Sequence, residues 1–98
     1  LGGHQDIIVE LVETFLEDAP LMLADMRQAA ETGDAPGLRL QAHSLKSNSA
    51  EFGAMSLNAL CKQLEMMGKE NQLDGTLPLI DQADAACVAV KPALMALK

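Results

Sequence analysis

The stretch that decides the fold spans residues 35–52 and has the sequence APGLRLQAHSLKSNSAEF. At about 100° per residue, its apolar and small side chains share one face of a helix. That face comprises Leu38, Ala42, Leu45, Ser49 and Phe52. Asp34 precedes the stretch as a candidate N-cap, and Pro36 is tolerated in a first turn. The pattern therefore predicts an amphipathic helix with one buried face.

His43 falls on the opposite face of this helix, toward solvent. Arg39 stands one turn before it and Lys46 one turn after it. Because nearby cations disfavour a protonated imidazole, these two cations indicate a neutral ring that binds or carries an anion. The other neighbours are small or apolar and leave room for a partner: Leu40, Ser47 and Ala50. The alternative is an ordinary solvated surface histidine.

Stop and start signals divide the rest of the chain into further helical stretches. A cap-and-proline pattern at Asp18-Ala19-Pro20 predicts a break between two helices, and Gly33, Gly53 and the polar residues 71–76 predict later breaks. The predicted helical stretches are residues 6–17, 20–31, 35–52, 54–69 and 77 onward. They predict an all-α, antiparallel four-helix bundle with a short additional N-terminal helix, forming a single domain over residues 1–98.

The composition excludes several classes of protein. Apolar residues make up 49% of the chain and aromatic residues 2%, a balance that favours helices over strands. The net charge of −7 argues against nucleic-acid binding. Residues 1–34 hold eight acids and one base, whereas residues 35–69 hold four bases and two acids. No apolar run approaches the roughly 20 residues of a membrane span, and no signal peptide is evident, so we expect a cytoplasmic protein.

Metal and hydrolytic chemistry are not indicated by the residue spacing. The position one turn after His43 is Ser47, and the only other histidine, His4, lies near the start of the chain. Ser44 points about 100° away from His43 on a helix, which does not suit a nucleophile and its base. No phosphate-binding loop for ATP is present. Two cysteines among apolar neighbours, Cys61 and Cys87, are predicted to be reduced core thiols.

A set of motifs in a fixed order links the predicted third and fourth helices. Residues 42–49 are AHSLKSNS, residues 52–54 are FGA and residues 64–68 are LEMMG, with Leu57, Leu60 and Cys61 between them. This combination resembles the histidine-containing phosphotransfer (HPt) domain of multistep two-component phosphorelays. The helix layout is compatible with that family over nearly the whole chain.

The resemblance implies a four-helix bundle that takes a phosphoryl group from the aspartyl phosphate of one receiver domain and passes it to another. His43 would be phosphorylated on Nε2, and Lys46 would help to neutralise the phosphoryl oxygens. Glu65 would accept a hydrogen bond from Nδ1 and hold the tautomer that leaves Nε2 free, the alternative being an ordinary surface acid. The helical wheel adds Arg39 as a second cation.

The expected docking residues for receiver domains of response regulators or hybrid sensor kinases are Arg39, Leu40, Ser47, Ala50 and Lys69. Ser47 is a departure, because the family commonly has glycine directly after the lysine of the motif, and Asn48 also replaces a common small residue. We expect a monomer with no metal or cofactor of its own, Mg²⁺ being held by the receiver. We also expect no autonomous kinase activity.

Two other readings remain open from the residues. One is an adaptor bundle that docks a receiver or kinase without carrying phosphate. The other is the dimerisation hairpin of a histidine kinase, against which the several short helices and the lack of an ATP-binding motif count. The start at Leu1-Gly2-Gly3, without methionine, favours a domain excised from a longer protein. A stand-alone protein and the C-terminal domain of a hybrid histidine kinase are both compatible with the sequence.

Overall fold

The computed structural model describes residues 3–97, and for residues 3–6 it describes the backbone alone. Four helices follow one another in the chain: α1 (Gly3–Thr32), α2 (Ala35–Glu51), α3 (Met55–Lys69) and α4 (Thr76–Met95). Each packs on two others, α1 and α3 on both α2 and α4, and short loops make chain neighbours antiparallel. No strand occurs in the described part of the chain. The predicted all-α four-helix bundle is thus confirmed.

The separate N-terminal helix of the prediction is wrong, because α1 continues without interruption through Pro20. One buried stripe crosses the expected break, and its members are Val12, Phe15, Ala19, Leu23 and Met26. Pro20 itself lies on the exposed side of α1. Its missing N–H and its ring therefore disturb the solvent side of the helix, while core packing holds both halves in one rod.

The predicted buried face of α2 is confirmed. Leu38, Ala42, Leu45 and Ser49 are fully buried, and half-buried Phe52 follows them with its ring centroid 4.9 Å from that of Phe15. The N-cap is confirmed as well, since the Asp34 carboxylate accepts a hydrogen bond of 3.0 Å from the Gly37 backbone N–H. Packing and capping together fix the rotation of α2 about its own axis.

The turn between α2 and α3 depends on Gly53. Its φ of +68° lies in the left-handed region that side chains with a Cβ rarely adopt. The backbone N–H groups of Gly53 and Ala54 donate to the carbonyls of Ala50 and Ser49 and close the end of α2. The chain can therefore reverse within three residues and bring α3 alongside α2.

Both cysteines lie in the core, as predicted. Cys61 is fully buried, Cys87 is 7% exposed, and neither forms a disulfide. Burial raises the pKa of the Cys61 thiol to about 12 and also raises the pKa of Cys87. Such thiols remain protonated at neutral pH and act as small apolar side chains.

An ionic cluster joins α1 to α4 on the side of the bundle away from the α2–α3 pair. Arg27 Nη2 donates to Asp81 Oδ1 at 2.8 Å and to Asp84 Oδ2 at 2.7 Å, and these hydrogen bonds raise the pKa of Arg27. We call these three residues the Arg27 cluster. None of the four helices is long and apolar enough to cross a membrane, within the described residues.

Candidate functional site

His43 projects from the middle of α2 into solvent. The buried residues Ala42 and Leu45 hold the opposite side of the helix in the core, and the His43 side chain is 58% exposed. The imidazole is therefore accessible to a partner, and core packing keeps α2 from rotating it away from solvent.

The neighbouring helix α3 supplies a carboxylate to the ring. Glu65 Oε2 lies 2.8 Å from His43 Nδ1, and Glu65 Oε1 lies 2.5 Å from the Nζ of Lys46. Glu65 is only 19% exposed and bridges two residues of α2 that stand one helical turn apart. The structure thus brings together His43, Lys46 and Glu65, and we call these three residues the His43 cluster.

The protonation of the His43 cluster follows from the environment of Glu65. The hydrogen bond from Lys46 lowers the pKa of the Glu65 carboxyl, partial burial opposes this, and the hydrogen bond involving His43 lowers it further. Glu65 is therefore ionised at neutral pH and can only accept hydrogen bonds. Consequently Nδ1 of His43 carries the donated proton, and in the neutral ring the lone pair remains on Nε2.

Two side chains that were not predicted as site residues bind the backbone of Lys46. Asn58 Nδ2 donates to the Lys46 carbonyl at 2.8 Å, and Ser49 Oγ donates to the same carbonyl at 2.9 Å. Asn58 stands seven residues before Glu65, a spacing of two turns that places both on the α2-facing side of α3. This spacing in the sequence could have identified Asn58 as a further residue facing α2. Asn58 and Glu65 hold Lys46 at its backbone and at its ammonium group.

An open groove of about 830 Å³ lies beside His43, between the first half of α2 and the end of α3. Its lining includes His43, Glu65 and three of the predicted docking residues, Arg39, Leu40 and Lys69. The structure places these three docking residues together along this groove.

The other two predicted docking residues, Ser47 and Ala50, are exposed on α2 but do not line the groove. Asn48 is half-buried, and its amide lies 4.0 Å from the sulfur of Met22 on α1. Asn48 thus contacts the bundle, whereas Ser47 faces solvent.

Gly68 sets the width of the groove at its floor. A Cβ at this position would lie 2.9 Å from the Arg39 nitrogen and 3.0 Å from the Ala35 carbonyl oxygen, closer than side-chain carbons normally approach. Only the missing side chain lets the backbones of α2 and α3 come this near. The close approach brings Lys69, the next residue, near the Arg39 end of α2.

Among the side chains that the structure describes, no three histidine, cysteine or acidic residues are grouped so as to hold a metal ion. The side chain of His4, the other histidine considered as a ligand, lies outside the described residues.

Comparison with known proteins agrees with this geometry. Residues 10–93 match the family model described as the Hpt domain, and the chain belongs to that family. It can be superposed on the crystal structure of histidine-containing phosphotransfer protein B (HptB) from Pseudomonas aeruginosa PAO1 with a TM-score of 0.84. That match has 30% identity and covers 96% of this chain and 85% of the other.

Two curated relatives carry related names. The chain is 25% identical over 95 residues to histidine-containing phosphotransfer protein 2 of Arabidopsis thaliana, covering 94% of this chain and 61% of the relative. It is 29% identical over 69 residues to multistep phosphorelay regulator 1 of Schizosaccharomyces pombe, covering 70% of this chain and 23% of the relative. The chain therefore spans only part of the length of both.

The family match confirms the resemblance that was drawn from the motifs of α2 and α3. The names of the relatives agree with the predicted class of function, phosphotransfer within a phosphorelay. The matched region contains all of α2 and α3, and with them the His43 cluster and the groove.

Proposed function

We propose that this domain is a phosphorelay intermediate. It accepts a phosphoryl group on Nε2 of His43 from the aspartyl phosphate of a receiver domain and passes the group to the aspartate of another receiver. The observation that carries this proposal is the contact between Glu65 and Nδ1 of an exposed His43. In the neutral ring this contact places the proton on Nδ1 and the lone pair on the accessible Nε2, which is what a nitrogen nucleophile requires.

The chemistry asks for few groups on this chain. The lone pair of Nε2 attacks the phosphorus, the bond from phosphorus to the aspartyl oxygen breaks, and its electron pair remains on the aspartate carboxylate. The imidazole keeps its proton on Nδ1 and gains positive charge as the nitrogen–phosphorus bond forms. The Glu65 carboxylate, 2.8 Å from Nδ1, stabilises that charge. In the second transfer the aspartate of the other receiver attacks the phosphorus, the nitrogen–phosphorus bond breaks, and its electron pair returns to Nε2, so that the ring is neutral again.

The surroundings of His43 suit a protein partner. Leu40 is 63% exposed at the rim of the groove and offers an apolar contact. Ser47 and Ala50 are small and exposed on the far side of His43, where a partner's backbone can come close. We expect the receiver to bring Mg²⁺ for the transfer, and this chain to need no metal or cofactor of its own.

We further propose that the domain acts as a monomer in the cytoplasm and binds no nucleic acid. Its acidic balance supports the last point, since the net charge is −7. Sedimentation equilibrium should give the mass of a single chain.

The proposed function is tested with a receiver domain phosphorylated with ³²P on its aspartate. The unmodified protein should acquire label that is lost in acid and kept in alkali, as expected for phosphohistidine. His43→Gln should acquire none. His4→Gln, the same substitution at the other histidine, is the matched control and should be labelled normally.

Label retained on His43→Gln would overturn the assignment of His43. An unlabelled wild-type protein that still binds the receiver, with His43→Gln binding equally well, would instead support the adaptor alternative.

A further inference from the structure

Three cations surround His43, and the structure gives them different surroundings. Lys46 is 29% exposed, its ammonium group is bound to Glu65, and it does not line the groove. Arg39 and Lys69 are exposed and line the groove together with His43. Lys46 is therefore the cation least available to a group that enters the groove.

Arg39 differs from Lys46 in having no partner. Among the described residues, its guanidinium makes no hydrogen bond or ion pair, whereas the charge of Lys46 is balanced by Glu65. Arg39 stands four residues before His43, so the two side chains are neighbours on one face of α2. Its backbone is held against α3 at the close approach of Gly68. The backbone of Arg39 is thus fixed, while its guanidinium is free to move beside the imidazole ring.

We propose that Arg39 binds the oxygens of the phosphoryl group that His43 carries, and that Lys46 instead holds Glu65 in position against Nδ1. This division of roles rests on the proposed function. A guanidinium offers two parallel N–H donors that match a pair of phosphoryl oxygens. An unpaired cation at the groove breaks no existing ion pair when it binds a new anion, whereas Lys46 would have to leave Glu65.

The first test uses phosphoramidate as phosphoryl donor, without any receiver, so that partner docking cannot contribute to the rate. Arg39→Gln should slow the labelling of His43 about tenfold, the lower range for the loss of a hydrogen bond to a charged group. Arg39→Lys should recover part of the rate because it keeps the charge but not the paired donors. Lys62→Gln, which removes an exposed charge of α3 outside the groove, is the matched control and should label normally.

The second test measures the phosphorylated protein itself, prepared with either donor. In ³¹P NMR, Arg39→Gln should raise the midpoint of the second ionisation of the phosphoryl group by about half a unit, as expected for the loss of one solvent-exposed ion pair. Lys62→Gln should leave that midpoint unchanged. Circular dichroism melting curves of all variants verify that the fold is intact.

A third measurement separates the two roles. In carboxyl ¹³C NMR, Lys46→Gln should raise the titration midpoint of Glu65, because the bond from Lys46 is the main cause of its lowered pKa. Arg39→Gln should leave it in place. An equal rise in both variants would show that Arg39 acts through Glu65, and would overturn the proposal.

The proposal also fails if Arg39→Gln is labelled by phosphoramidate at the wild-type rate, including the case in which it is slow only with a receiver. It fails if the ³¹P midpoint does not move. In each case the proposed function survives as long as His43→Gln remains unlabelled, so the two failures are distinguishable.

Discussion

Two ionic clusters of three residues each join a pair of helices in this bundle. The Arg27 cluster joins α1 to α4 through bonds of 2.8 and 2.7 Å, and the His43 cluster joins α2 to α3 through bonds of 2.8 and 2.5 Å. Their bond lengths are similar, and in both a central charged group bridges two side chains of the other helix. Bond lengths alone therefore do not distinguish a structural ionic cluster from a functional site.

The difference lies in the members of each cluster and in their surroundings. In the Arg27 cluster the guanidinium pairs with both carboxylates, so every member is already bound to a group of opposite charge. In the His43 cluster the charges of Glu65 and Lys46 balance one another, and the third member is a ring with a free nitrogen. The His43 cluster adjoins a groove that is lined by two further cations, Arg39 and Lys69. The functional site thus differs from the structural cluster in having a histidine with a free ring nitrogen beside an open, positively charged groove.

The largest expected effect follows from removing the central charge of the His43 cluster. Glu65→Gln keeps the shape of the side chain but cannot stabilise the positive charge that the ring gains during transfer. Transfer from a phosphorylated receiver should fall by between about 10- and 100-fold, the range found when the carboxylate that orients a metal-ligating histidine is removed. Glu51→Gln, an exposed acid at the end of α2, is the control. An unchanged transfer rate in Glu65→Gln would mean that the two clusters differ less than we infer.

The next largest effect concerns the floor of the groove. Gly68→Ala places a Cβ against the backbone of Ala35 and Arg39, so the helices must separate. The cost of such overpacking, about 1 to 3 kcal/mol, exceeds the gain of about 1 kcal/mol from the higher helix propensity of alanine. Urea denaturation should show a lower free energy of unfolding, and transfer should slow because Arg39 moves relative to Glu65.

Gly37→Ala is a useful contrast on the same helix. There a Cβ would meet only the flexible carboxylate of Asp34, which can rotate away and give up its hydrogen bond to the Gly37 N–H. This variant should lose the N-cap contribution, about 1 kcal/mol, but gain about as much from the higher helix propensity of alanine. The free energy of unfolding should therefore change little, and transfer should be unchanged. Equal transfer rates in Gly68→Ala and Gly37→Ala would contradict a role for the close approach of α2 and α3.

A smaller effect is expected at the other cluster. Arg27→Gln leaves Asp81 and Asp84 near each other without their cation, and should lower the free energy of unfolding by about 1 kcal/mol, since all three groups are substantially exposed. Phosphoryl transfer should not change. Lys91→Gln, which removes an exposed charge from α4, serves as the control in the same denaturation and transfer assays. Slower transfer in Arg27→Gln would refute the separation of roles.

The smallest effect is a pH dependence of stability. Glu65 has a pKa below its ordinary value of 4.5 in the folded protein, chiefly because Lys46 donates to it. Its ionised form therefore stabilises the fold above pH 4.5, and this contribution is lost as the pH falls through the lowered pKa. The difference in unfolding free energy between wild type and Glu65→Gln should be largest near neutral pH and should shrink in acid. A difference that is constant with pH would contradict this assignment.

Much of the fold could be predicted, and the exception is instructive. The apolar stripe of α2 and the cap at Asp34 depend on residues within one helix, and both were predicted correctly. The break at Asp18-Ala19-Pro20 was also inferred from local signals, but the buried stripe that continues through Ala19 and Leu23 holds α1 together. A proline is a weak stop signal when it lies on the solvent side of a helix whose core side is packed.

The site divides in the same way. Helical periodicity in the sequence determined that His43 faces solvent with Arg39 and Lys46 on either side, because angular position within a helix is a local property. The rotation and shift of α3 relative to α2 decide which side chains of α3 contact these three residues. That offset is set by core packing and by the contact of Gly68 with the Arg39 backbone. Only the tertiary structure could therefore decide that Glu65 and Asn58 engage Lys46 while Arg39 remains free at the groove.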